Sequence, residues 1–482
     1  MGVRALAMLF HKTFVTLFAV LLAVMGLALP KQSGILPASQ PAENIPIKKE
    51  EGPVTLHILQ SRGELGRYLQ QAADRYTAVN PGVHIRIQTV EAPADYQVAL
   101  RSRLLSGAQA DLFHVLGRRD LLDLQALPCQ MESLSDLSWA DDTLWPGSLA
   151  AMTFSADTPE AEPRLLGLPL SVEGVGLLVN MDIFTQAGLS WNNSMTLADL
   201  ADLFARLQSH INQGLLAENY PHLEAVTEFS AQDKAYLGGP VVDTLAAGSI
   251  AAPARAYQTQ YLDMPLAPAA KELWRIMAYY SACTSWKQLL AVTQTRQLED
   301  GIAAGRVAVV LQNGEAHRRI RAINPTIASH LRLMPIPLTL DDTAAPESDW
   351  PRQALFAHTP AYWCINADSP APTKQAARQF LTWLYQSESG TALLAGSCQL
   401  ISPYRQPAAR QQDTSLALHG DLLRRLNNNN GEEILPSLWP DYPPEWREDT
   451  AQGLQNYLTG DLTWDNFIAQ SKENWNRQSG LM

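Results

Sequence analysis

Cysteine is scarce and scattered. The four cysteines, Cys129, Cys283, Cys364 and Cys398, lie far apart with no CxxC pair. The spacing of a structural zinc site or a dithiol redox motif is therefore missing. Positive charge is also short: 36 Lys and Arg stand against 48 Asp and Glu, a net charge of −12. A nucleic-acid binder needs a basic face to meet phosphate, so this balance argues against that class. The acidity is mainly a statement about solubility and does not imply a cationic ligand. Catalytic signatures are missing as well: no GxSxG, no HExxH, no Walker loop, and no GxGxxG after a strand. The adjacent acids Asp341-Asp342 and Glu432-Glu433 do not converge on one substrate and read as solvated loop charge. Asn427 to Asn430, followed by Gly431, is a polar loop. No catalytic residue, metal or cofactor is expected.

What the chain has is length and apolar content. Its 482 residues are 46% hydrophobic and 17% charged, enough for a large core and for two lobes rather than one. Residues 1–30 read as a targeting segment. Arg4, His11 and Lys12 precede an uncharged run from Phe14 to Leu29. Small residues at Gly26 and Ala28 suit cleavage after Ala28. Alternatively the apolar run stays uncleaved as an anchor. Residues 31–52, rich in Pro, Ser, Gln, Lys and Glu, read as a flexible linker.

Strands and helices then alternate. Val54–Gln60 alternates apolar and polar residues and reads as a first strand. Leu65, Leu69, Ala72, Ala73 and Tyr76 recur at helical spacing, and Asn80-Pro81-Gly82 stops that helix. A second strand is expected at His84–Val90, a helix at Tyr96–Leu105, and a third strand at Asp111–His114. The order implies a parallel sheet with right-handed crossovers. The stretch Gly167–Leu189, GLPLSVEGVGLLVNMDIFTQAGL, organises the rest. A Gly-x-Pro turn leads into an apolar strand, Val175–Val179, and Asn180-Met181-Asp182 opens a short helix ending at Gly188. Further on, Thr196 and Asp199 mark a helix start, with Leu200, Leu203, Phe204 and Leu207 as its buried stripe.

Several segments, in one order, resemble the family 1 extracellular solute-binding proteins. These are the binding components of sugar-type ABC importers, the group that contains maltose-binding protein. The segments are RYTAVNPGVHIRIQ, LLSGAQADLF, Gly167–Leu189, GIAAGRVAVVLQNG (301–314), LRLMPIP (331–337), AYWCIN (361–366), AARQFLTWLYQSESG and YLTGDLTWDNFIAQSKENWNRQ. Together they span about residues 54–478. The resemblance implies an α/β, periplasmic-binding-protein-like fold of type II: two α/β lobes joined by a multi-strand hinge. Lobe one is expected at 53–180 plus 308–358, and lobe two at 181–307 plus 359–482. The three crossings fall at Gly167–Leu189, Gly301–Gly314 and Ala361–Asn366. Many Gram-positive relatives carry a lipobox Cys after the leader, whereas this chain continues Leu-Pro-Lys-Gln-Ser.

The resemblance also implies site residues. Glu173 matches a Glu that bonds a sugar hydroxyl in the maltose-binding relatives; a rim salt bridge is the alternative. Arg118 follows the third strand, whose loop, with His114 and Arg119, points into the cleft in this family. Sugar rings present apolar faces, so a site wants aromatic platforms. Among the 12 Trp, Trp446 best matches a cleft aromatic at the start of a late helix. Trp439 lies in the same Pro-rich segment, Trp363 on the third crossing, and Tyr236 in the lobe-two segment Lys234–Gly239. Two platforms common in the family are missing, one after Gly314 and one in the loop Gln60-Ser61-Arg62.

The implied function is extracellular capture of a small solute, a carbohydrate, by a monomer that delivers it to ABC permease subunits. A rival reading is a membrane-anchored sensor or scaffold of the same fold that transports nothing. A disulfide from Cys129 to another cysteine would tie the lobes together, and none is expected. The leader predicts that fractionation recovers the chain outside the cytoplasmic membrane or anchored to it. Full-length chain in the cytosol, with its N-terminus intact, would contradict this.

Overall fold

The computed structural model describes residues 52–482 apart from 108, 126–130, 146, 155–161, 193, 232, 247–261, 282–294, 315, 342–350, 407–416, 428–433, 438–441 and 479–482. The leader, the linker, Cys129, Cys283 and Trp439 thus lie outside the described residues.

Two large sheets are built from β1 (Val54–Gln60), β2 (Val83–Thr89), β3 (Leu112–Val115), β4 (Leu168–Pro169), β5 (Glu173–Asn180), β6 (Ala225–Thr227), β7 (Val307–Asn313), β8 (Leu331–Met334), β9 (Ile336–Pro337), β10 (Gln353–His358), β11 (Tyr362–Ile365) and β12 (Ile434–Pro436). The first sheet runs β2-β1-β3-β11-β4. Its β1, β2 and β3 are parallel, with Val54 opposite Val83 and Ile58 opposite Leu112. The late strand β11 inserts antiparallel between β3 and β4. Helices Gly66–Val79 and Ala371–Gln386 pack on this lobe, where the Tyr76 ring meets Phe380 edge-on at 5.4 Å.

The second sheet runs β9-β10-β5-β7-β6, with β8 also pairing β5 and β12 pairing β10. Strand β5 is its axis. All eight residues are buried, and it pairs antiparallel with β7 on one edge and with β10 and then β8 on the other. Neighbours crowd it so closely that a Cβ at Gly176 would stand 2.6 Å from Leu355 and 2.7 Å from the Met334 carbonyl. Only glycine fits there. At its end the Asn180 side chain accepts from the Asp182 N–H and starts helix Met181–Gln186. Thr196 and Asp199 form a reciprocal capping box on helix Leu197–Asn212. One face of this sheet is covered by a core that includes Phe184, Phe204, Trp274 and Trp446.

The lobe boundaries differ from expectation. Strands β5, β7, β8 and β10, assigned to lobe one with β1, β2 and β3 by resemblance, form a separate sheet with β6 and belong to lobe two. Conversely, β11 and the segment through Tyr404 belong to lobe one, whose core takes in Trp363, Phe380 and Tyr404. The reason is backbone pairing. A buried strand must satisfy its N–H and C=O groups in one sheet, so the chain changes lobe in the short links beside strands rather than along them. Those links are Ser171-Val172, held by a bridge from Val172 to Ile401, and Thr359–Ala361. Tyr404 still packs in the lobe-one core, and Leu418 packs on lobe two.

Asp243, buried in lobe two, accepts a 2.7 Å hydrogen bond from Ser437 Oγ and fastens the segment leading to helix Pro444–Thr459. Burial pushes its carboxyl up to about 7 despite hydrogen bonds from Ser437 and Tyr442 and the nearby Arg447 charge. The folded state therefore holds this proton more tightly than the unfolded chain does. The contribution is present at acid pH and is lost as pH rises from about 4 to about 7. Asp243→Asn should narrow the stability difference between pH 5 and pH 8 in urea melts. An unchanged difference would contradict this account of Asp243.

Candidate ligand-binding site

The loop after β1 carries the first half of the site. Its geometry is fixed by buried polar groups. The Arg62 N–H donates to Gln60 Oε1 at 2.7 Å, and Gln60 Nε2 donates to Thr89 Oγ1 at 2.5 Å. The Ser61 N–H donates to His114 Nδ1 at 3.3 Å. Burial and the Arg62 charge lower the His114 pKa to about 3, so the ring is neutral and Nδ1 can accept. His114 leans on Trp363 at 4.1 Å between centroids. Trp363 Nε1 donates to Tyr385 Oη, and Tyr385 donates to the Leu170 carbonyl beside the first link between lobes. A chain of hydrogen bonds and one ring contact thus runs from the Arg62 loop through the lobe-one core to the hinge.

The second half comes from lobe two. Arg62 Nη2 donates to Glu173 Oε1 at 3.2 Å, and Glu173 Oε2 lies 3.7 Å from His358 Nε2 across the β5–β10 pair. Helix Ala316–Ile323 brings Arg318 to the same seam. Its guanidinium lies 3.6 Å from Glu64 and donates to the Cys398 carbonyl of lobe one at 3.2 Å. Glu173 is only 9% exposed. A carboxylate that dry must be paired, and Arg62 pairs it. Beside these groups a cavity of about 20 Å³ remains, lined by Glu173, Gly174, Arg318, Leu333, Ile401 and His419 among others. That is room for roughly one water, which needs about 10–15 Å³.

Of the expected site residues that are described, Glu173 alone reaches this seam; Trp439 lies outside the described residues. Arg118 donates to the carbonyls of Ala151 at 3.2 Å and Thr153 at 2.9 Å, and lies 3.9 Å over the Phe154 ring. Trp363 is fully buried in lobe one between His114 and Tyr385. Trp446 is fully buried in lobe two; its Nε1 donates to the Ser471 carbonyl at 2.8 Å and Trp475 meets it edge-on at 5.1 Å. Tyr236 is buried edge-on against Phe229. These three rings offer no free face here, because the burial of so large an apolar surface keeps them in the cores. Arg62, Glu64, Arg318 and His358 were not anticipated. Their signal was position: Arg62 and Glu64 follow the C-terminal end of a parallel strand, where ligands of α/β sheets bind.

Two α/β lobes, joined by several links and facing each other across a polar seam, define a solute-binding protein of the type II fold. The chain belongs to the family described as bacterial extracellular solute-binding protein, whose model matches residues 71–414. Solved structures agree on the fold. RafE from Streptococcus pneumoniae, in its apo form, superposes with a TM-score of 0.64 at 13% identity, covering 90% of this chain and 100% of that one. The GacH receptor of Streptomyces glaucescens, solved unliganded and with acarbose, gives 0.61 at 12% identity, covering 89% and 99%. The sugar-binding protein MalE from Xanthomonas citri gives 0.60 at 16% identity, covering 88% and 97%. No curated protein sequence matches the chain.

The burial of Trp446 yields a test. Trp446→Ala should lower unfolding free energy by about 3–5 kcal/mol, as for other large-to-small core changes. Stability within 1 kcal/mol of wild type would show that the ring is not a core element.

Proposed function

We propose that this protein captures a carbohydrate outside the cytoplasmic membrane and presents it to the membrane subunits of an ABC importer. The observation that carries the reading is the meeting of Arg62 and Glu173 at the seam between lobes. Charged hydrogen-bonding groups from both lobes, Arg62 just after the end of a parallel strand and Glu173 at the start of β5, suit a polar ligand held between them. The structural neighbours GacH and RafE have been solved with acarbose and with raffinose, respectively. On this reading residues 1–30 serve export or anchoring, residues 31–52 act as a tether, and the binding unit works as a monomer. The protein binds and releases its solute unchanged.

A ligand touching both lobes favours the closed state by its differential affinity, and the permease reads that closure. A ligand of Glu173 and Arg62 gains charge-assisted hydrogen bonds worth about 1.5–3 kcal/mol each. Arg62→Ala should therefore weaken binding about tenfold or more in isothermal titration. Small-angle scattering of the wild type should differ between free and ligand-bound states. Unchanged scattering with a bound sugar, together with wild-type affinity in Arg62→Ala, would place the site elsewhere. The anchored sensor or scaffold then becomes the better reading.

A further inference from the structure

Glu64 sits where guanidinium groups from opposite lobes converge. Its carboxylate accepts from Arg62 Nε in its own loop and faces Arg318 Nη2 of lobe two at 3.6 Å. The two arginines are 14% and 18% exposed, and Glu64, at 37%, is the most accessible of the three. Burial alone would raise its pKa, but Arg62 and then Arg318 outweigh that and hold the carboxyl below its ordinary value. The position thus favours an anion. Arg62 also has a second hold on Glu173, which keeps it at the seam when Glu64 is displaced. Arg318 keeps its bond to the Cys398 carbonyl meanwhile. The described residues lining the neighbouring cavity include no Trp, Tyr or Phe. A carboxylate or phosphate between Arg62 and Arg318 would find planar forks of donors.

We propose that Glu64 is an internal stand-in for the ligand, and that the solute of this site is an acidic sugar. Its carboxylate or phosphate takes the place of Glu64 between Arg62 and Arg318. This rests on the reading that the solute binds in the seam, and it names the solute's chemical class. The same anion would touch one arginine from each lobe, so charge recognition and lobe closure are one event.

The test is a titration of the full chain with digalacturonate, neutral galactobiose and inorganic phosphate. Binding is measured by calorimetry and thermal shift in wild type, Glu64→Gln, Arg318→Gln and Arg318→Lys. Wild type should bind the acidic disaccharide about tenfold or more tightly than the neutral one, the scale of one charge-assisted hydrogen bond. Glu64→Gln, freed of the competing carboxylate, should bind digalacturonate and phosphate more tightly still. Arg318→Gln should lose the preference for the acid, and Arg318→Lys should recover part of it. Equal or better binding of galactobiose by wild type, or weaker acid binding in Glu64→Gln, overturns the proposal and leaves a neutral-sugar reading standing. Phosphate stabilisation that follows these variants while no sugar binds upholds the anion site and removes the carbohydrate reading. No response to any probe in any variant removes both.

Discussion

The structure depends on one strand. Glu173–Asn180 is buried from end to end and pairs on both edges. Six of its eight residues are apolar or glycine, so burial is favourable along nearly all of it. The cost falls at the first position, where the strand carries a carboxylate into the seam. A charge that is 9% exposed must find a partner, and the nearest cation stands on the other lobe at Arg62. The drive to bury an apolar strand thus sets a charged pair at the junction of two lobes. Gly176 lets the neighbours close on that strand, and Arg318 repeats the device one helix away.

A shell of buried groups holds the seam's side chains in place. Arg62 is presented by a loop whose backbone donors end on Gln60 and His114, both fully buried. A neutral His114 suits this work, since a protonated ring would lose its acceptor and face Arg62 as a second cation. Trp363 and Tyr385 brace His114 and carry the contact on to Leu170 at the hinge. The aromatic residues of this lobe act through position, by holding the polar groups that face the seam.

Much of the fold was legible in the sequence because it is local. The strand Val54–Gln60, the helix stop at Asn80, the cap at Asn180 and the capping box at Thr196 each depend on a few adjacent residues. Lobe membership was not legible, because β7, β8, β10 and β11 choose their sheets through pairings over long sequence separations. The site was half legible. Glu173 was singled out by the family resemblance, whereas its partner Arg62 lies 111 residues earlier and carried no such mark. Sequence could not decide between platform and core for Trp446 and Trp363, for a physical reason. A Trp serves equally as a platform or as core, and only the packing of Ser471, Trp475 and Tyr385 around these rings decides which.

The account rests on the seam as the place where solute is held. Hydrogen–deuterium exchange, with and without a saturating sugar identified by screening, tests that most directly. Binding in the seam predicts new protection in three separated segments at once: Gln60–Glu64, Val172–Gly174 and Ala316–Ile320. Protection confined to one lobe, or to surfaces away from these segments, would contradict it.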